Sequence, residues 1–265
     1  MKLKSPLLLT LLAAIIGGFL IFKQINDPTD QHGRAAYGHT EALLACGPRP
    51  ADSEGLKKAQ QYISTELAKH GWSTMSQSLV RDTPLGKKTF VNLIARFQTE
   101  KLENLEDLKA INTKGILGAH LDSKMIPGIP DFLGADDAAS ACALIIELAA
   151  ELGKNHPKLA KQLEIVFFDG EEAFGENITP TDGLYGSRAY AFTLYDRTPK
   201  PQFGIVLDMI GHQDLKIAVP ADTDRKLYQS LLNAAQAKGH EKHYGMAKGS
   251  IIDDHLYLNK AGVPT

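Results

Sequence analysis

The sequence predicts an α/β layer fold with a largely parallel sheet. Short apolar runs of strand length stand at Gly115 to His120, Leu163 to Phe168 and Phe203 to Leu207. Stretches of helical periodicity separate them, the alternation that packs helices on parallel strands. The runs also end in charged or titratable residues, and ligands of open α/β sheets bind at the carboxyl ends of strands.

The elements follow in chain order. Lys2 and Lys4 precede Ser5 to Phe22, 18 residues without a charge. At 1.5 Å per residue, roughly 18 helical residues cover about 27 Å, close to the hydrocarbon thickness of a bilayer. Residues 1–23 are therefore expected to form a single-pass transmembrane anchor, with a cleaved signal segment as the alternative. The two lysines favour an N-terminus inside. The remainder is then expected outside the cytoplasm, held at the membrane, or secreted if the segment is cut. Residues 24–34, polar with one proline, read as a linker, and residues 35–265 as one domain.

Within that domain Ser53 to His70 has Leu56, Ala59, Ile63 and Leu67 on one face, and Gly71 can close the helix. Lys88 to Phe97 alternates as a strand does. Asp137 to Leu152 reads as a strongly apolar helix, and Arg225 to Lys238 as a further one.

Composition narrows the function. The 29 basic and 31 acidic residues nearly cancel, which excludes a general electrostatic grip on nucleic acid. Two cysteines, Cys46 and Cys142, exclude a disulfide scaffold or a cysteine-rich zinc ribbon. No phosphate loop, H-E-x-x-H or G-x-S-x-G motif is present. Asp253-Asp254-His255 looks like part of a nucleophilic triad, yet no activated serine accompanies it.

The polar residues at the strand ends are more informative. The apolar runs lead into His120-x-Asp122, Asp169-Gly-Glu171-Glu172 and Asp208, and Asp136-Asp137 opens the apolar helix after a glycine-bearing loop. One such residue is ordinarily a helix cap. Four groups converging on one sheet edge repel one another unless a cation compensates. Carboxylates with an imidazole suit zinc, whose bonds to O and N are about 2.0–2.2 Å. Spacing alone thus points to a metal hydrolase or a related zinc enzyme.

The stretches GAHLDSK (118–124), GADDAASACALIIELA (134–149), FFDGEEAF (167–174), DGLYGSR (182–188), LDMIG (207–211) and DDHLYLNKAGVPT (253–265) resemble the zinc aminopeptidase superfamily. Within it they look most like the glutaminyl-peptide cyclotransferases. The resemblance runs from about Gly47 to Thr265 and implies a three-layer α/β/α fold around a mostly parallel, mixed sheet. It implies Asp137 and Glu172 as metal ligands and Glu171 as the catalytic acid/base. It places Asp208 and Asp253 in a hydrogen-bonded network around the substrate. His120, with Asp208, matches the ligands of the second metal in two-zinc aminopeptidases. One zinc ion is expected, and two are possible.

The substrate implied is the N-terminal residue of a peptide or protein. Glutamine cyclisation to pyroglutamate with release of ammonia is the first reading. A zinc-dependent aminopeptidase is the alternative, and a non-catalytic remnant a further one. The resemblance also implies a histidine ligand beyond the GVP segment, so the domain is expected to be C-terminally incomplete, unless an internal histidine such as His255 substitutes. Asn177 stands where cyclotransferases place a pocket tryptophan. Cys142 matches a cysteine often disulfide-bonded, but the partner position is Ala119, so a free thiol is expected.

Overall fold

The computed structural model describes residues 31–99 and 102–265. The expected anchor, residues 1–23, lies outside the described residues. Among the described residues no helix is long and apolar enough to cross a membrane. The linker expected through residue 34 is shortened, because helix α1 (Gln31–Ala45) already begins at Gln31. Its buried stripe is Gly33, Ala36, Thr40 and Leu43, of which only Leu43 is a large apolar residue, too little to announce an amphipathic helix.

Helix α2 (Glu54–Lys69) begins where Ser53 Oγ accepts the Leu56 N–H at 3.1 Å. It buries the expected stripe of Leu56, Ala59, Ile63 and Leu67. Gly71, at φ +82°, turns the chain into a hairpin of β1 (Trp72–Thr83) and β2 (Gly86–Phe97). Strand β1 had no counterpart in the expected pattern, because it is mostly polar and only partly buried at the sheet edge. Helix α3 (Leu105–Ala110) then leads to β3 (Gly115–His120).

The helix expected from Asp137 is α4 (Ala141–Asn155), which starts later. Residues 135–140 instead form a wide turn in which Asp137 has non-helical angles, φ −108° and ψ 95°. After the short α5 (Pro157–Ala160) come β4 (Leu163–Phe168), α6 (Tyr185–Tyr195) and β5 (Phe203–Val206). The remaining elements are β6 (Ile217–Val219), α7 (Arg225–Ala237), β7 (Tyr244–Met246) and α8 (His255–Lys260).

The main sheet has the order β1-β2-β4-β3-β5, and β6 and β7 form a small parallel pair. Strand β3 runs parallel to β4 and β5, whereas β1 with β2 and β2 with β4 are antiparallel. The sheet is therefore mixed in equal parts rather than mostly parallel. The tight hairpin that begins at the unforeseen β1 brings in the antiparallel half.

Side chains alternate across the sheet, as a period of two requires. Leu93, Ala95, Leu117, Ala119, Ile165 and Phe167 pack on one face with α1, α2 and α4. Ile94, Ile116, Val166 and Phe168 pack on the other with Tyr190, Leu194 and Leu258 of α6 and α8. Helices on both faces give the three layers. The parallel register His120↔Phe168 brings the ends of β3 and β4 level, so the residues after them share one edge.

Candidate active site

His120 is the last residue of β3 and is buried. Its Nε2 lies 2.8 Å from Asp137 Oδ1 and 3.3 Å from Asp208 Oδ1. One ligand atom from each residue lies within 4.8 Å of the others. Three elements supply the set: the end of β3, the turn before α4, and the segment just after β5. Among the described residues Asp208 Oδ1 is buried and has no hydrogen-bond partner despite its proximity to the ring. A buried lone pair left over, beside a nitrogen and a second carboxylate, is what a divalent cation would satisfy, and the N/O donor set fits zinc.

The turn after β4 is fixed by a carboxylate that spacing marked only as a strand-end residue. Asp122 Oδ1 accepts the Glu171 N–H at 3.1 Å, and Oδ2 accepts the Glu172 N–H at 3.2 Å. The same Oδ1 faces His120 Nδ1 at 3.5 Å. One side chain thereby orients both the imidazole and the acidic pair. Asp169 anchors the turn from behind: its Oδ2 accepts the Val91 N–H at 2.6 Å. Gly170, at φ +73°, lets the backbone pass where a Cβ would stand 2.4 Å from the Phe90 ring.

Glu171 is buried, and Glu172 is partly exposed. The Glu172 carboxylate lies 3.2 Å from Lys124 Nζ and is not one of the three clustered donors. Asp208, expected in a substrate network, stands with His120 and Asp137. Asp253 is partly buried, and its Oδ1 accepts the Asp254 N–H; Asp254 is fully buried. His255, the candidate substitute ligand, is turned toward Asp222 Oδ1 at 3.3 Å and lies outside the cluster. Asp136 is structural: its Oδ1 accepts the Gly211 N–H at 2.6 Å, tying the segment after β5 to the turn before α4. Asn177 is exposed and offers no ring to a pocket wall.

Burial sets the electrostatics. It pushes the Glu171 carboxyl up to about 10, against the pull of His120 and with the help of Asp254, Asp253 and Asp122. Burial also lifts Glu172 to about 7, with Asp122 and Asp137 adding to it. Burial opposes protonation of His120, yet Asp122, Asp137 and Asp208 together hold its pKa well above the ordinary histidine value. For Asp137 burial is outweighed by the His120 hydrogen bond, which keeps that carboxylate below its usual range. Bringing these groups together without a cation is costly, and ligand binding would require His120 to be neutral.

Beside the set opens a cavity of about 580 Å³, within the ~300–1,000 Å³ typical of ligand pockets. Asp136, Asp208 and Asp253 line one part, and Leu215, Leu231 and Tyr244 another. Cys142 is a free, buried thiol whose Sγ donates to the His120 carbonyl at 2.9 Å, in accord with the unpaired state expected.

A mixed sheet between helical layers, with imidazole and carboxylate donors on one strand-end edge, defines the class as a zinc-exopeptidase-like α/β protein. The chain belongs to Peptidase family M28, whose family model matches residues 102–265. A glutaminyl-peptide cyclotransferase of Dictyostelium discoideum is 39% identical over 162 residues, covering 56% of this chain and 44% of the relative. A glutaminyl-peptide cyclotransferase-like protein of Mus musculus is 29% identical over 244 residues, covering 82% and 61%. The chain thus spans less than two thirds of the length of these curated relatives. Among solved structures, the glutaminyl cyclase of an Acidobacteriales bacterium superposes with a TM-score of 0.72 at 29% identity, over 87% of this chain and 76% of that one. A Zn-dependent exopeptidase from Parabacteroides distasonis shares the fold, with a TM-score of 0.73 at 24% identity over 87% and 81%.

Proposed function

We propose that the protein is a zinc-assisted glutaminyl-peptide cyclotransferase, which closes the N-terminal glutamine of a peptide into pyroglutamate and releases ammonia. The observation that carries this reading is Glu171, a buried carboxyl in the field of His120, Asp254, Asp253 and Asp122. The names of the relatives support the same reaction.

In this reaction the α-amine nitrogen bonds to the side-chain amide carbon, and the bond from that carbon to the amide nitrogen breaks. Glu171 takes a proton from the attacking amine and returns one to the departing nitrogen, so a single carboxyl serves both halves. Asp253, on the wall of the adjoining cavity, holds the amine near the amide carbon, the orientation that ring closure demands. Asp122 keeps Glu171 in place through its backbone N–H. Zinc, when bound, supplies positive charge that polarises the amide carbonyl and lowers the pKa of Glu171.

Asp137 belongs to both ligand sets, with Glu172 on the resemblance and with His120 and Asp208 on distance. One ion is proposed. A two-ion aminopeptidase is the second reading, favoured by the close His120–Asp137–Asp208 group. Residues 1–23 are proposed to hold the enzyme outside the cytoplasm, supported by 18 uncharged residues behind two lysines.

A paired assay on the zinc-loaded full chain tests the function. Ammonia and pyroglutamate from a Gln-initiated peptide, with no leucine from a Leu-initiated one, is the expected result. Leucine release without ammonia would replace the cyclotransferase reading with the peptidase.

A further inference from the structure

Arg49 lies well away in sequence from every donor and is completely buried. A guanidinium out of water is expensive unless it is well bonded. Here its nitrogens go to backbone carbonyls. Nε donates to Leu121 O at 3.0 Å, Nη2 to Gly134 O at 3.0 Å, and Nη1 to Leu43 O at 3.5 Å. Its own backbone closes a reciprocal pair with Ser123: the Arg49 N–H donates to Ser123 Oγ at 2.9 Å, and the Ser123 N–H to Arg49 O at 3.1 Å.

The carbonyls it grips decide its meaning. Leu121 sits between His120 and Asp122, and Gly134 opens the turn that carries Asp137. Gly134 is at φ +59°, and a Cβ there would stand 2.2 Å from Asp137 O, so this turn is packed tightly. Nε and Nη2 form one edge of the planar fork, and that edge clasps both loops at once.

We propose that Arg49 is a positioning residue for the metal site, one guanidinium edge fastening the loop after His120 to the turn before Asp137 and so setting the separation of these two donors. The proposal rests on the reading of His120 and Asp137 as metal ligands, but not on which reaction the site performs. Lysine cannot replace the fork, because a single ammonium reaches the two carbonyls only at the expense of geometry.

The test measures zinc affinity of the full chain by chelator competition, well below the unfolding transition, together with the visible d–d spectrum of the cobalt form. Arg49→Lys and Arg49→Met are each expected to weaken zinc by about tenfold or more, the scale on which outer-shell partners act. Both are expected to change the cobalt bands, with lysine retaining part of the affinity. Ser123→Ala is expected to produce a smaller loss of the same kind. A residue that only stabilises the fold would lower the Tm and leave zinc affinity and cobalt bands as in the wild type, and that result overturns the proposal. If the arginine variants do not fold, Ser123→Ala decides in the same way. Wild-type protein that takes up no zinc would overturn both this inference and the metal reading beneath it. Wild-type protein that binds zinc but forms no pyroglutamate would overturn only the proposed reaction.

Discussion

Glu164 interrupts the apolar run of β4 and has no exposed surface. It faces Arg96 across the antiparallel pair, and Arg197 reaches it from beyond α6. Arg197 Nη1 donates to Oε2 at 2.8 Å and Nη2 to Oε1 at 3.1 Å. Thr113 Oγ1 donates to Oε2 at 3.2 Å, and the Tyr190 hydroxyl donates to Oε1. Arg96 Nη1 lies 3.8 Å from Oε2. Glu164→Ala would leave two buried guanidinium groups without their carboxylate. Removing one partner of a buried ion pair costs about 3–5 kcal/mol, a large share of the roughly 5–15 kcal/mol that stabilises a folded domain. At about 2–4 °C per kcal/mol for a chain near this size, the Tm should fall by roughly 6–20 °C. Trp72, the sole tryptophan, is buried with Nε1 donating to Ala149 O at 3.0 Å, so its fluorescence reports unfolding in urea or on heating. Adding Arg197→Met to Glu164→Ala should cost less than the sum of the single changes, since each single change strands what the other removes. A Glu164→Ala protein within about 0.5 kcal/mol of wild type would refute the reasoning, because that is the range of a surface substitution.

Further outcomes follow from the same structure. Burial pushes the Cys142 thiol up to about 12, so at pH 8 it stays protonated, and a thiol reagent should modify Cys46 alone until denaturant exposes both. Asp122→Ala removes the acceptor of two backbone N–H groups and should destabilise by about 1–3 kcal/mol for each group left unpaired, with catalysis falling more than zinc content; unchanged kcat would exclude its orienting role. Gly134→Ala forces a Cβ into the Asp137 carbonyl, so zinc affinity and Tm should drop together, measured by chelator competition and a thermal melt. A strong chelator should abolish ammonia release and zinc should restore it, with metal content followed in the same samples.

The parts of the fold visible in the sequence are those whose burial is periodic. The runs of β3 and β4 match their predicted spans, and β5 and α7 end one residue short, because apolar residues there meet a helix layer or the sheet. Strand β1 escaped notice because only Trp72 and Met75 are buried, three residues apart, and the rest is partly or fully exposed, which leaves no strand rhythm. The small residues of α1 bury without a strong amphipathic pattern. Strands β6 and β7 have three residues each, too few to carry a period. At the site, strand-end position brought out His120, Glu171, Glu172 and Asp208, the opening of the apolar helix brought out Asp137, and the structure draws His120, Asp137 and Asp208 into one cluster. The Lys124–Glu172 pair, the double role of Asp122 and the clasp of Arg49 depend on loops that meet only after folding. Nothing in local spacing reports them, although the two-residue interval from His120 to Asp122 is a signal that could have marked Asp122 as the partner of the imidazole.

The most direct measurement compares wild type with Glu171→Gln, following ammonia release and zinc content on the same protein. A Glu171→Gln protein that keeps its zinc and loses about 10²–10⁴ in kcat would be the result expected when this carboxyl moves the proton. A zinc-bearing Glu171→Gln protein that still releases ammonia at the wild-type rate would contradict the proposed mechanism outright.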